Sequence, residues 1–219
     1  MSAPISRRTV PAERRRRWRW WHTVIAVVIA LLIPVAVLVA PMLFHAPQGS
    51  SGQSEPAAGW PLSVSAAGDD GRERSLSVRA EEGDLDTSSL EPGTHLIVSG
   101  SGYDPSRGIY VAICKIPTRG EKPGPCLGGI PEGGQTVAEG SIDYAPSNWI
   151  NDDWAWKLLG ARSYDDLERG SFTAYLEVGE PVAESVDCHV DACGIFTRND
   201  HTALGDRVQD LYLPVGFVD

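Results

Sequence analysis

Two closely spaced cysteine pairs, a short run containing Arg, Asp and His, and three clustered tryptophans are the residues of this chain best suited to chemistry or recognition. Cys188, His189, Asp191 and Cys193 are all metal-ligand types. A CxxxxC spacing with one histidine is not a zinc spacing, and in an exported chain a disulfide consumes both thiols, so no metal is expected. Arg198, Asp200 and His201 have the types needed to orient a ligand or to move a proton near neutral pH. With no nucleophile beside them, the more economical expectation is a polar turn held by an Arg198 to Asp200 pair. Trp149, Trp154 and Trp156 stand beside Asn148, Asn151, Asp152 and Asp153, and Trp faces flanked by carboxylates and amides suit sugars or quaternary ammonium groups. Trp154 and Leu158 lie one helical turn apart and are expected to dock this segment onto the rest of the domain. Asp152-Asp153 and Asp165-Asp166 are sequence neighbours that do not face each other on a helix, and they read as helix-start charges. Ser99-Gly100-Ser101-Gly102 lacks both GxSxG and the full GxGxxG and reads as a turn. No catalytic residue, cofactor or enzymatic activity is expected.

Positioning these residues is the work of a domain that faces different surroundings from the N-terminus. Residues 1–44 carry seven Arg and one Glu, whereas residues 45–219 hold 12 basic and 28 acidic residues. A domain this acidic is repelled by phosphate backbones, which argues against nucleic acid as its direct partner. Thr23 to Phe44 contains no charged residue in 22 positions, enough to cross a hydrocarbon core of about 30 Å at roughly 1.5 Å per residue. Arg14 to Arg17 and Arg19 precede the run and few basic residues follow it, so the positive-inside rule places the N-terminus in the cytoplasm and the domain outside. Trp18, Trp20 and Trp21 fall at the level of an interfacial aromatic belt. The competing reading is a cleaved signal peptide with Val39 and Ala40 near its end, although the usual apolar core of about 7 to 15 residues is shorter. The expected organisation is a cytoplasmic Arg/Trp-rich segment over 1–22, a transmembrane signal anchor over 23–44, a flexible linker over 45–59 and an extracytoplasmic domain over 60–219.

Within that domain, alternation around Asp69-Asp70-Gly71 predicts a hairpin from Trp60–Ala66 and Ser75–Ala80. Strands are predicted at His95–Ser99, Ile109–Ile116 and Ser171–Val178, with a short one at Ser141–Tyr144 and a last one at Val215–Phe217. Pro117–Gly140 is a long Gly/Pro-rich loop. The insertion 148–170 shows two short helix patterns, Asp153 before WAWKLL and Ser163 before YDDLER, each ended by glycine. A small loop closed between Cys188 and Cys193 predicts a stapled β-hairpin. About seven short strands without sustained α/β alternation give an all-β sandwich.

Four cysteines, Cys114, Cys126, Cys188 and Cys193, fit an oxidising compartment and leave three connectivities open, with local pairing expected. The segments His95 to Cys114 (HLIVSGSGYDPSRGIYVAIC), Cys126, Gly170 to Val178 (GSFTAYLEV), Val186-Asp187-Cys188, Ala192-Cys193-Gly194 and Pro214 to Phe217 together resemble the neocarzinostatin family in order and in both cysteine spacings. The resemblance covers roughly residues 75–219. It implies a seven-stranded immunoglobulin-like sandwich with disulfides Cys114–Cys126 and Cys188–Cys193. The family's founding members are secreted carriers that shelter a reactive chromophore in a cleft lined by loops and cysteine-tied hairpins.

The insertion and the membrane segment set this chain apart from diffusible carriers. The expected function is therefore a non-catalytic, membrane-anchored binding or interaction module of the bacterial cell envelope. Its expected contact surface is the Pro117–Gly140 loop with Trp149, Trp154 and Trp156, while Arg198 and His201 are further candidates. Its partner would be an envelope protein, a glycan or a small molecule. The alternative is a small-molecule carrier or self-protection protein like the family's founders, which requires a cleft beside Cys114 and Cys126.

Overall fold

The structure is a computed structural model that describes residues 12–54, 59–128, 143–183 and 185–218. The chain divides into two compact units, Met1–Phe44 and His45–Asp219. The uncharged run lies in helix α1, Ala12–Phe44. Its Trp20–Val37 window has a mean hydropathy of 2.2 and is not buried against protein. Length and composition suffice to cross a membrane, and a signal sequence has the same character.

The second unit is an all-β sandwich of two four-stranded antiparallel sheets. Its elements are β1 (Ser63–Ala67), β2 (Glu73–Ala80), β3 (His95–Ser101), β4 (Ile109–Lys115), β5 (Ser147–Ile150), α2 (Trp154–Lys157), β6 (Phe172–Glu177), β7 (Val182–Ala183), β8 (Val186–Asp187), β9 (Cys193–Asn199) and β10 (Tyr212–Val215). One sheet has the order β1-β2-β3-β6 and the other β10-β9-β4-β5. Leu76, Val78, Leu96, Val98, Phe172, Ala174 and Leu176 of the first sheet meet Ile109, Val111, Ile113, Ile150, Ile195 and Leu213 of the second in one core. Period-two alternation produces this, because successive side chains point to opposite faces. Arg74 occupies a core-facing position of β2 and is fully buried. Its guanidinium is held by both carboxylate oxygens of Asp70, and that hydrogen bonding keeps the Asp70 carboxyl below its usual range.

The two sheets differ in a way that matters for function. β4 and β9 are buried on both faces. On the outer side a second small cluster forms from Ala112, Cys114 and Phe196, with Ile116, Cys126 and Tyr212 packed against it. Something therefore covers the outside of this sheet. Part of that cover is the loop tied back by the Cys114–Cys126 disulfide.

Several sequence expectations are revised. Cys188 and Cys193 are bonded to each other, but they do not staple two paired strands. β8 pairs with β7, while β9 pairs with β4 and β10, so the disulfide closes the tight turn between β8 and β9. Asn148, expected to open the insertion, belongs to strand β5, and the helix expected after Asp153 is the single turn α2 ending at Lys157. No helix follows Ser163: residues 167–170 form a turn, with Asp166 accepting from the main-chain N–H groups of Glu168 and Arg169. The last strand ends at Val215. Asp143 and Tyr144 are not in a strand, and Ser141 and Ile142 lie outside the described residues, as does the Gly129–Gly140 part of the expected contact loop.

The linker expected over 45–59 is pinned to the sandwich at its start. The His45 ring nitrogen Nε2 lies 2.7 Å from Asp206 Oδ2, with both side chains almost fully buried. Ser50 exchanges main-chain and side-chain hydrogen bonds with Asp69. The Gln53 amide donates to the Tyr212 carbonyl at 2.9 Å and accepts from the Tyr212 N–H at 2.8 Å, imitating a further strand on the free edge of β10. Composition alone suggests a tether, because these polar groups find their partners far away in the chain.

Candidate functional site

The outer face of the β10-β9-β4-β5 sheet carries the site. Tyr110 and Ala112 on β4 and Arg198 on β9 point outward, and Trp149 on β5 extends the same surface. The loop closed by the Cys114–Cys126 disulfide brings Lys122 to Pro125 back over them. Between loop and sheet lies a cleft of about 320 Å³ lined by Tyr110, Ala112, Lys122, Cys126, Ser147 and Arg198 together with Pro123, Gly124 and Pro125.

Tyr110, in the lining of the cleft, joins it to an aromatic cluster. The Trp149 ring lies 5.8 Å from Trp156, 5.3 Å from His201 and 5.9 Å from Tyr110. Trp156 and His201 meet edge to face at 4.6 Å. The Tyr110 hydroxyl and His201 Nδ1 are 3.1 Å apart. Asp200 fixes the cluster from below and is fully buried. Its Oδ2 accepts from Trp149 Nε1 and Asn151 Nδ2, both at 2.9 Å, and its Oδ1 accepts from the Thr202 N–H and hydroxyl. A buried carboxylate is tolerable when hydrogen bonds satisfy it this fully. The arrangement needs glycine at 108, since a Cβ there would lie 1.9 Å from Asp200 Oδ2.

Arg198 reaches across the cleft. Its guanidinium stands 5.6 Å from the centre of the Tyr110 ring and donates to the Pro123 carbonyl at 3.2 Å. Among the described residues no carboxylate lies within ion-pair distance of Arg198 or of Lys122. Burial lowers the proton affinity of Arg198. Burial does the same to Lys122, and the charges of Arg198 and Arg207 add to it. Burial pushes the Tyr110 hydroxyl up to about 12, with the Asp200 charge adding, so it stays a neutral hydrogen-bonding group. The result is a local concentration of positive charge beside aromatic faces, in a domain that is otherwise strongly acidic.

Four of the five residues proposed as a contact surface thus come together: Trp149, Trp156, Arg198 and His201. Trp154 does not join them. It is 71 % exposed and Leu158 is 76 % exposed, so this pair does not dock the segment. Trp156 does, because the single turn capped by Asp153 Oδ1 turns position 156 toward Trp149 and His201. The expected Arg198 to Asp200 pair does not form, since the two side chains leave β9 and its end in different directions, toward the cleft and toward Trp149. Cys188 and Cys193 hold a turn away from this surface. Tyr110 was not foreseen, and Lys122 was included only as part of the expected Pro117–Gly140 contact loop. Period-two alternation within Ile109–Ile116 marks Tyr110 as outward-facing, whereas nothing near Lys122 tells which way a Gly/Pro-rich loop folds.

Among solved structures, the fold is similar to that of macromomycin, with 17 % sequence identity and a TM-score of 0.35 over 65 % of this chain and 99 % of that chain. The relationship is a distant likeness of fold. No family model matches the sequence, and no curated protein matches it.

Proposed function

We propose that this chain is a membrane-anchored, extracytoplasmic binding protein that holds a small, flat, negatively charged molecule in the cleft between the Cys114–Cys126 loop and the sheet. The observation that carries this reading is the convergence of Arg198 and Lys122 on a cleft that also presents the Tyr110 ring, with no carboxylate paired to either among the described residues. Two cations drawn together at some cost to their own protonation are relieved by an anion. A ring entering the cleft meets Tyr110, whose ring adjoins the Trp149–Trp156–His201 cluster.

Anchoring rests on the length and apolarity of α1, and the cytoplasmic N-terminus rests on the arginines before it. The two disulfides favour a domain exposed to an oxidising compartment. A non-catalytic role is supported by His201, whose nearest polar neighbour is the neutral Tyr110 hydroxyl and not a nucleophile. A module for protein contact would use the exposed Trp154 instead, but a cleft of about 320 Å³ suits a small molecule better. Carriage of, or protection against, a chromophore-type antibiotic is the narrow form of the same reading.

Coumarin-3-carboxylate and uncharged coumarin share one ring system and differ in the anion. Fluorescence titration is expected to show saturable binding of the carboxylate that Arg198→Ala weakens at least about tenfold, the loss of one charge-assisted contact. Equal affinity of wild type and variant for the carboxylate sinks the proposal.

A further inference from the structure

The residue that follows the uncharged run is already held by the sandwich. The run ends at Phe44, and the His45 side chain is almost fully buried, with its Nε2 at 2.7 Å from Asp206 Oδ2. Residues 23–44 reach about 33 Å at roughly 1.5 Å per residue, against a hydrocarbon core of about 30 Å. The headgroup layer adds only roughly 5 to 7 Å on each side, and one Cα step is about 3.8 Å. A span ending at Phe44 therefore leaves no length for a tether. The surface around Asp206 is brought to the lipid headgroups by chain connectivity alone.

That surface belongs to one end of the sandwich. Asn199, the last residue of β9, donates from its side-chain amide to the Asp206 carbonyl at 3.2 Å. Asn199 pairs with Ile109 at the start of β4, and Ile109 pairs with Ile150 at the end of β5. α2 follows β5 at this same end, where its Trp156 meets His201. The turn that holds His45 and the insertion helix are thus neighbours.

This end also presents apolar side chains to the outside. Trp154 is 71 % exposed, Leu158 76 % and Leu159 59 %, and Leu204, between β9 and β10, is exposed as well. The Leu158 N–H donates to the Trp154 carbonyl at 3.3 Å, which sets these two side chains on one face of the turn. Lys157 is the one charged residue of positions 154–159, and it is paired with Asp152 at 3.0 Å. Trp and Leu projecting from a short turn suit a bilayer interface, where an indole sits at headgroup level and aliphatic chains reach the acyl boundary.

We propose that this end of the sandwich docks onto the outer lipid surface, with Trp154, Leu158 and Leu159 inserted among the headgroups. The inference rests on reading residues 23–44 as a membrane span. Two observations meet in it: the absence of slack after Phe44, and the exposed apolar turn at the end that His45 ties down. Docking fixes the orientation of the sandwich over the bilayer. It also links the lipid surface to the aromatic cluster, because Trp156 belongs to the docked turn.

The test is site-specific photo-crosslinking of the full chain in phosphatidylcholine vesicles, with lipid adducts read by mass spectrometry. Leu158→photo-leucine places the probe in the turn. Val190→photo-leucine is the control, since Val190 is 80 % exposed but stands before β9, at the opposite end of that strand. Illumination is expected to give a lipid adduct at position 158 and none at 190. Adding Trp154→Ser and Leu159→Ser is expected to lower the yield at 158 at least about threefold, because less apolar area enters the interface. No adduct at 158, equal adducts at both positions, or an undiminished yield in the serine variant overturns the proposal. Carbonate extraction of the same vesicles separates the two readings. A chain released by carbonate has no span, and both fall. A chain retained without an adduct at 158 is anchored but not docked.

Discussion

Asp210→Asn tests the electrostatics of the sheet's outer face through the pH dependence of stability. The Asp210 side chain is only 10 % exposed, and one of its oxygens accepts from Arg207 Nη1 at 2.7 Å. The other, Oδ1, has no hydrogen-bond partner among the described residues. Burial outweighs the pull of Arg207 and Arg198 and pushes the carboxyl from 3.8 up to about 7. The folded state therefore keeps this proton to a higher pH than the unfolded state does. Its stabilising contribution is complete below about pH 4 and is lost as the pH rises through 7. Between pH 5 and pH 8 the loss is on the order of 2 to 3 kcal/mol. The assay is urea unfolding of residues 45–219, a unit whose core and both disulfides are internal to it. Wild type is expected to lose on the order of 2 to 3 kcal/mol relative to Asp210→Asn across that range, most of it between pH 5 and 7. Asp70 and Asp191, held low by Arg74 and Lys115, lose their contributions only at more acidic pH and cancel in the difference. Parallel stability curves for the two proteins would refute the reasoning.

Two further substitutions probe the packing. Trp156→Ala removes the ring between Trp149 and His201 and is expected to lower stability by about 2 kcal/mol, whereas Trp154→Ala, at an exposed position, stays within about 0.5 kcal/mol in the same assay. Gly170 has φ +56°, and a Cβ there would lie 1.8 Å from the Tyr103 carbonyl oxygen. Gly170→Ala is expected to cost about 3 kcal/mol or more, and a shift in thermal midpoint of less than about 2 °C would contradict the close approach.

The sandwich was legible because β2 and β6 alternate and, with β3 and β4, contribute a face to the shared core. What the sequence concealed lies where side chains take over main-chain roles. Asn148 reads as a loop residue, yet its amide donates to the Tyr175 carbonyl at 2.8 Å and accepts from the Tyr175 N–H at 3.1 Å, joining β5 of one sheet to β6 of the other. Gln53 does the same for β10, which is why a polar stretch with no apolar period turned out to be attached. The grouping of the candidate residues is not visible in their sequence positions. Arg198, His201 and the tryptophans assemble only because β4 lies between β5 and β9, an order no local pattern reveals. One signal was available. Cys193 to Asn199 shows no polar alternation, and a strand buried on both faces implies that loop or strap covers its outer side.

Chemical-shift mapping of residues 45–219 during titration with coumarin-3-carboxylate tests binding at the cleft beside Cys126 most directly. Saturable shifts are expected at Tyr110, Ala112, Lys122, Cys126 and Arg198 and at the Trp149 indole N–H, all of which line or adjoin the cleft. Shifts confined to the β1-β2-β3-β6 sheet, or no saturable shift at all, would contradict an anion-binding site between the disulfide loop and Arg198.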